Sequence, residues 1–254
     1  MHLQTPAIVL RTVDYKDADK ILTVLTAAEG KRTVNARGCR RKGSKIAVQS
    51  QHLVYSEMTL FTYKERLALE EAATLQEFRH LRADLFTLAL GIYFADVVEA
   101  VAEEGRGDPG LMSLLLNSLY AIDALKKPPE LVKACFEMRL ICLAGYEPVL
   151  EGCAICGGEP EKPVLDLEEG ILHCASCPSE GRSVGLDQSV LAAMRHTAHG
   201  DAKRLFSVQL PPKSLTLFAK ASERFLLTQL ERGFRTLDYY KSLNPTIIGE
   251  NHAI

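Results

Sequence analysis

The chain has no long apolar run, and this absence limits the classes of protein to which it can belong. Its longest uncharged stretch, from Pro109 to Ile122, has 14 residues, whereas a membrane-spanning helix needs about 20 apolar residues. Residues 1–6 do not show the charged segment and apolar run of a secretory signal. We therefore expect a cytoplasmic protein that does not enter a membrane.

Motifs for nucleotide hydrolysis and nucleophilic catalysis are also absent. A phosphate-binding loop has the pattern Gly-x-x-x-x-Gly-Lys-Ser/Thr, and the nearest match, Arg41-Lys42-Gly43-Ser44, lacks its leading glycine and its strand-to-helix context. The sequence shows no pairing of a nucleophile with a base. These absences predict a binding protein, not an enzyme.

Net charge is small, but positive charge is concentrated in one segment. The chain carries a formal charge of −2, yet residues 30–49 contain seven basic residues and no acidic one. A solvated loop without function is one alternative; the lack of balancing acids favours a polyanion partner instead. Gly38 and Gly43 flank the densest part and suggest an extended, mobile loop along a phosphate backbone. The predicted phosphate contacts are Lys31, Arg32, Arg37, Arg40, Arg41, Lys42 and Lys45.

Four of the seven cysteines form two tight pairs. Cys153 and Cys156 are separated by 17 residues from Cys174 and Cys177, a spacing within the range of a four-cysteine zinc site. The segment between the pairs can form a short hairpin that brings them together. Four thiolates close a tetrahedral shell, so we predict one structural Zn²⁺ per chain. Disulfide pairing and coincidental buried cysteines are the alternatives, and an odd cysteine count favours a reduced protein.

The apolar pattern changes along the chain and predicts an α+β multidomain fold. Five short β-branched runs separated by turns favour an oligonucleotide/oligosaccharide-binding (OB-fold) β-barrel over residues 1–80. From Leu81 the period becomes helical. We therefore predict an α-helical domain over 81–150 and 183–245, an inserted four-cysteine zinc module over 151–182, and a C-terminal tail over 246–254.

Three motifs give the chain a resemblance to a known family. Leu10-Arg11-Thr12 precedes a Tyr15–Thr23 segment, Gly30 precedes the basic run, and Phe136-Glu137 leads to Gly145-Tyr146-Glu147-Pro148 just before the first cysteine pair. With these motifs, nearly the whole chain resembles bacterial DNA repair proteins of the RecO family, which are recombination mediators. Family members often carry Gly-Glu where this chain has Lys16-Asp17. We include Arg11, from the first motif, among the predicted DNA-binding residues.

The resemblance implies a function and partners. It implies binding of single- and double-stranded DNA, strand annealing, and recombinase loading with the partner RecR on DNA coated with the single-stranded DNA-binding protein SSB, at the nucleoid in the cytoplasm. An acidic SSB tail needs an apolar pocket with a positive rim. We predict such a pocket near the third helix, with Lys133 and Arg139 at its rim; ordinary surface residues over a core helix are the alternative.

Two other classes of protein contain zinc and bind nucleic acids. A nucleobase deaminase needs His-x-Glu and Pro-Cys-x-x-Cys motifs, and no histidine in this chain is followed two residues later by glutamate. A transcription regulator that reads duplex DNA needs a recognition helix with exposed base-reading side chains. The strongest basic cluster lies in the predicted barrel instead, which favours the recombination mediator.

Overall fold

The structure of the chain is a computed structural model that describes residues 2–63 and 66–243. The predicted C-terminal tail, residues 246–254, lies outside the described residues. The described residues up to Ala124, together with those from Phe234 onward, form one compact unit, and Leu125–Gly233 form a second. No helix in the described ranges combines the length and apolar character needed to cross a membrane.

Five strands open the first unit and close on one another as a barrel. They are β1 (His2–Tyr15), β2 (Asp19–Thr26), β3 (Gly30–Ala36), β4 (Tyr55–Tyr63) and β5 (Arg66–Gln76). Their spatial order is β1-β2-β3-β5-β4, and β4 pairs with β1 to close the barrel. The β3–β5 pair is parallel and the others are antiparallel. The predicted five-stranded barrel is confirmed.

Alternation along the strands sends every second side chain into the barrel. Leu22 and Val24 of β2 and Val34 of β3 are fully buried in its core. Cys39 and Ile46, which lie in the connection between β3 and β4, belong to the same core. The connection therefore closes part of the barrel interior as well as joining two strands.

That connection is not the extended loop that its glycines and charges suggested. It is a series of turns, in which the backbone N–H groups of Arg41 and Ser44 donate to the carbonyls of Gly38 and Arg41 at 3.0 and 3.1 Å. Further on, the backbone N–H of Ser50 donates to the carbonyl of Ile46 at 3.1 Å, and its hydroxyl donates to the same oxygen at 2.7 Å. Buried Cys39 and Ile46 account for the difference, because their burial draws the segment onto the barrel.

Seven α-helices and one 3₁₀ helix, Ala202–Ser207, lie within the described ranges. The α-helices are α1 (Arg79–Ala83), α2 (Leu85–Val101), α3 (Pro109–Asp123), α4 (Pro129–Leu143), α5 (Gln188–His199), α6 (Pro212–Gln229) and α7 (Arg235–Ser242). The Asp84 carboxylate accepts from the backbone N–H of Thr87 at 2.8 Å, and Asp108 does the same for Leu111 at 3.0 Å. These contacts satisfy free donors at the starts of α2 and α3.

In the first unit, α2 is the central helix and α7 packs against it. Tyr93 and Phe94 of α2 are fully buried. Phe86 contacts Tyr240 with ring centroids 4.6 Å apart, and the Thr236 hydroxyl donates to Asp96 at 2.7 Å. The sequence did not predict α7, since it has only eight residues and follows the end of α6 closely.

The β2–β3 turn lies directly against the segment between α2 and α3. The backbone N–H of Lys31 donates to the carbonyl of Glu103 at 2.9 Å. A Cβ atom on Gly107 would lie 2.2 Å from the carbonyl oxygen of Ala27 and 2.4 Å from that of Ala28. Glycine is therefore required at position 107 for the two backbones to approach this closely.

The second unit combines α4, α5 and α6 with a small sheet. The strands β6 (Pro163–Asp166), β7 (Leu172–Cys174) and β8 (Ser183–Gly185) are arranged in the order β7-β6-β8. β6 and β7 are antiparallel, with Pro163 opposite Cys174. This is the predicted hairpin between the two cysteine pairs, and it carries the second pair toward the first.

Candidate metal centre and nucleic-acid interface

The four sulfur atoms of the two cysteine pairs lie together. Cys153 Sγ is 3.8 Å from Cys177 Sγ, Cys156 Sγ is 3.8 Å from Cys174 Sγ, and all four lie within 4.8 Å of one another. A tetrahedral site with Zn–S bonds of about 2.3 Å separates its sulfurs by about 3.8 Å. A disulfide needs about 2.05 Å, and all of these cysteines are free. The cluster can hold a metal ion, and its geometry does not fit disulfides.

Local backbone turns position these sulfurs. The N–H groups of Cys156 and Cys174 point at Cys153 Sγ, at 3.5 and 3.3 Å. The N–H of Gly157, which has a left-handed φ of 75°, donates to the carbonyl of Cys153 at 2.8 Å. In the second pair, the N–H of Cys177 donates to the carbonyl of Cys174 at 3.0 Å. Each pair thus forms a tight turn that directs two sulfurs to one point.

Hydrogen bonds and the closeness of the four sulfurs give the thiols different pKa values. The N–H groups of Cys156 and Cys174 lower the pKa of Cys153 to about 6, because they stabilise its thiolate. Burial, followed by the neighbouring Cys156 and Cys153 sulfurs, raises the pKa of Cys174 to about 12. A divalent cation among the four sulfurs removes this repulsion and favours the thiolate forms. The donor set therefore fits a metal cation.

Side chains of α5 tie the metal module to the helices of its own unit. The Arg195 guanidinium donates to the carbonyl of Leu150 at 2.8 and 2.6 Å and pairs with Glu159 at 2.8 Å. The Gln188 amide donates to the carbonyl of Pro160 at 2.6 Å. These contacts hold the segments on both sides of the first cysteine pair.

The predicted DNA-binding residues fall into two groups at opposite ends of β3. Lys31 and Arg32 lie near the start of this strand, and Arg37 directly follows its last residue. Six strand residues span about 20 Å. The basic segment that looked continuous in the sequence therefore provides two separate surfaces.

The group near the start of β3 makes polar contacts within the first unit. The Arg11 guanidinium lies 2.9 Å from the Glu99 carboxylate, and Lys31 Nζ donates to the backbone carbonyl of Glu99 at 2.8 Å. Arg32 pairs with Glu29 at 3.3 Å. Glu99 lies in the last turn of α2, where the helix dipole also favours cations. Arg11, Lys31 and Arg32 thus already have partners inside the protein.

The second group, which we name the basic end of the barrel, is exposed. Its members are Arg37, Arg40, Arg41, Lys42 and Lys45, and all five side chains face solvent. Arg40 pairs with Asp14 at 3.3 Å. Within the described ranges, no ion pair involves the other four.

The turn between β1 and β2 adjoins the basic end and adds Tyr15 and Lys16, which were not among the predicted DNA-binding residues. The backbone N–H of Arg40 donates to the carbonyl of Ala18 at 3.0 Å, and that of Gly38 donates to the Asp19 carboxylate at 2.7 Å. Next to this contact, Lys16 Nζ lies 5.2 Å from the centre of the Tyr15 ring. Their place in the Tyr15–Thr23 segment of the first sequence motif was the available signal.

Lys133 and Arg139 were predicted at the rim of a partner pocket, and both make polar contacts with other residues of the second unit. Lys133 is 5% exposed, and its ammonium lies 2.7 Å from both Glu137 and Glu223. Burial by itself lowers the pKa of Lys133, but these two carboxylates raise it above its ordinary value.

Arg139 is likewise engaged, because its guanidinium donates to the carbonyls of Ala198 and Gly200 at 2.5 and 2.9 Å, where α5 ends. Both cations are thus held by groups of their own unit. Their placement does not provide the positive rim that the prediction required.

A closed five-stranded barrel with the order β1-β2-β3-β5-β4 is of the OB-fold class, whose members bind oligonucleotides and oligosaccharides. This protein is an OB-fold protein that also has a helical region and a four-cysteine centre. It belongs to the recombination protein O family. The description "Recombination protein O N terminal" matches residues 1–89, and "Recombination protein O C terminal" matches residues 82–238.

Individual relatives agree with this assignment. A DNA repair protein RecO from Acetivibrio thermocellus is 29% identical over 250 residues, which cover 96% of this chain and 98% of the relative. A DNA repair protein RecO from Symbiobacterium thermophilum is 30% identical over 245 residues, covering 93% and 95%. The predicted family is confirmed, and the names of these relatives denote DNA repair proteins.

Proposed function

We propose that this protein is a DNA-binding recombination mediator that binds single- and double-stranded DNA and promotes strand annealing. The observation that supports DNA binding is the basic end of the barrel, where Arg37, Arg41, Lys42 and Lys45 are exposed and have no acidic partner among the described residues. Phosphates that contact such cations release their counterions, and this release is the main source of affinity for nucleic acids. Arg40 also contacts DNA when a phosphate replaces the Asp14 carboxylate as its partner.

Annealing needs no chemical step in this proposal. Cations that neutralise phosphates on two strands lower the repulsion between them and raise their local concentration. The free energy of base pairing then drives the reaction. The absence of catalytic motifs from the sequence agrees with this mechanism.

We propose that the metal at Cys153, Cys156, Cys174 and Cys177 is one structural Zn²⁺ per chain. Four thiolates leave no open position for a substrate, and the metal supplies a cross-link between the two cysteine turns. Cys153 is buried, and the hairpin of β6 and β7 places the second pair beside it. The role is therefore to fix the fold of the module.

The proposed partners follow from family membership. We propose that the protein acts with RecR, recognises SSB on coated single strands, loads the recombinase there, and works at the nucleoid in the cytoplasm. The SSB tail is not assigned to Lys133 and Arg139, because both cations already have partners within the second unit. A tail with acidic side chains needs cations that remain accessible.

Titration of fluorescent single-stranded and duplex oligonucleotides at several salt concentrations tests the proposal. Four phosphate contacts predict a log–log salt slope of about −2.8 on single strands, at about −0.7 for each contact. Reversal of Arg40, Arg41 and Lys42 to glutamate is expected to weaken binding strongly to oligonucleotides of any sequence. Unchanged affinity in this variant would contradict the assignment, and binding to one fixed duplex sequence would favour a transcription regulator.

A further inference from the structure

Tyr15 is an aromatic residue that the barrel does not use in its core. It is the last residue of β1, its side chain is 38% exposed, and it is absent from the core of the barrel. Val13, two residues earlier and therefore on the same face of the strand, is 47% exposed. The end of β1 thus presents an apolar, aromatic surface to solvent.

The next residue places a positive charge over this ring. Lys16 has a left-handed φ of 53°, and its Nζ lies 5.2 Å from the Tyr15 ring centre. A left-handed backbone is unfavourable at a residue other than glycine. This turn therefore holds lysine, against a backbone cost, in a conformation that puts its ammonium against an exposed aromatic ring.

Backbone contacts fix this pair next to the basic end of the barrel. The N–H of Arg40 donates to the carbonyl of Ala18 in the same turn, at 3.0 Å. The Arg40 guanidinium pairs with Asp14, which directly precedes Tyr15, at 3.3 Å. The turn that carries Tyr15 and Lys16 therefore lies beside the turns that carry the exposed cations.

A nucleotide combines the two groups that this surface can recognise, a flat base and a phosphate. A base can stack on the Tyr15 ring once the Lys16 ammonium moves from the ring to a phosphate, and further phosphates can meet the basic end. In a duplex the bases are already stacked and paired, and a base must first leave the stack, which is unfavourable, before it can contact the ring. Phosphates remain accessible in both forms of DNA.

We propose that Tyr15 is a base-stacking platform that makes the basic end of the barrel prefer single-stranded over duplex DNA. This inference rests on the proposed function, since it assumes that DNA binds at the basic end. It assigns affinity for both forms of DNA to the cations and the preference for single strands to one aromatic side chain.

Replacement of Tyr15 separates these contributions. Tyr15→Leu keeps an apolar side chain and all charges but removes the ring, and Tyr15→Phe is the matched control that keeps the ring. Stacking of one base is worth about 1–3 kcal/mol, so Tyr15→Leu is expected to lower single-strand affinity by about 5- to 150-fold. Duplex affinity and the salt slope are expected to stay unchanged, because no cation is removed, and Tyr15→Phe is expected to bind like the original protein.

A second variant reports stacking directly. The chain contains no tryptophan, so Tyr15→Trp introduces a single indole fluorophore at the proposed platform. Its fluorescence is expected to be quenched on titration with a single-stranded oligonucleotide and to change little with a duplex of equal charge. Retained duplex affinity in each variant also shows that the barrel remains folded.

The possible results distinguish this inference from the proposed function. Equal single-strand affinity of Tyr15→Leu and the original protein, or equal losses on single strands and duplex, would overturn the stacking role while leaving DNA binding intact. Absence of DNA binding by the original protein would overturn the proposed function, and the stacking role with it.

Discussion

Lys133 and Glu137 form an ion pair in the interior of the second unit, one turn apart on α4, with Nζ 2.7 Å from the carboxylate. Their residues are 5% and 0% exposed. Glu223 of α6 lies 2.7 Å from the same ammonium. One buried cation therefore joins two helices through charge as well as through apolar packing, and its removal leaves negative charge in a site with little water.

Replacement of Lys133 by methionine is expected to destabilise the protein by about 3–5 kcal/mol, the usual cost of removing one partner from a buried ion pair. Denaturant unfolding measures this change. Lys220→Met, at an exposed position of α6, is the matched control and is expected to change stability by less than about 0.5 kcal/mol. Similar values for the two variants would show that the buried cation contributes nothing.

The effect of Lys133 also has an expected pH dependence. Its pKa is raised in the folded protein because the two carboxylates outweigh the effect of burial. Its stabilisation is therefore full below the ordinary lysine pKa of about 10.4 and is lost as pH rises through the folded value. While Glu137 and Glu223 stay ionised, the difference in unfolding free energy between the original protein and Lys133→Met is expected to be constant and then to shrink at alkaline pH. A difference that shrinks at neutral pH would point to another group.

Gly107→Ala tests the close approach of the β2–β3 turn to the segment before α3. The added Cβ would lie 2.2 Å from the carbonyl oxygen of Ala27, so the backbone must shift, at a cost of about 1–3 kcal/mol. Gly185→Ala is the control, because no atom of the described residues lies within 4 Å of its added Cβ. Unfolding free energies of the two variants provide the comparison, and equal stability would refute the proposed contact.

Cys153→Ser is expected to abolish zinc binding and to lower the thermal midpoint by about 5–10 °C, given a shift of about 2–4 °C per kcal/mol in a chain of this length. Elemental analysis and thermal unfolding check both effects. Cys142→Ser is the control, because burial raises the pKa of this thiol to about 12 and it lies outside the cluster. One zinc per chain in Cys142→Ser, and none in Cys153→Ser, is the expected pattern. Metal-free protein after purification under reducing conditions would contradict it.

The two ends of β3 are expected to differ in their contribution to DNA binding. The double variant Arg41→Gln/Lys42→Gln removes two cations from the basic end that form no ion pair in the described part of the chain. The salt slope is expected to become shallower by about 1.4 on single strands. Arg11→Gln/Arg32→Gln removes the same charge from residues paired with Glu99 and Glu29. It is expected to leave the slope unchanged. If the salt slope became shallower only in Arg11→Gln/Arg32→Gln, the DNA site would lie near the start of β3 instead.

Local pattern was sufficient to predict the barrel and the cysteine cluster. The barrel follows from five short β-branched runs separated by turns, such as the run that became β2. The cluster follows from spacing, since two residues between cysteines direct both sulfurs to one point whatever surrounds them. These features depend on residues that are close together in the sequence.

The features that could not be predicted depend on distant partners. Nothing near Lys31 in the sequence shows that the backbone carbonyl of Glu99, 68 residues away, accepts a hydrogen bond from its ammonium. Lys133 and Glu137 have the spacing of a solvent-exposed pair on a helix, and their burial depends on α6, which follows much later in the chain. Charge in a sequence therefore marks possible binding residues, and only the folded arrangement shows which charges remain available.

The burial of Cys39 and Ile46 has a thermodynamic consequence for DNA binding. An unstructured segment that became ordered on DNA would lose roughly 1–2 kcal/mol of conformational freedom per residue at the moment of binding. Here the turns that carry Arg41 and Lys42 are already packed on the barrel, so that entropy is lost during folding. DNA therefore binds a surface that is already ordered, and the protein rearranges little on association. As the temperature rises, affinity is expected to remain steady and then to disappear together with the barrel in a single cooperative transition.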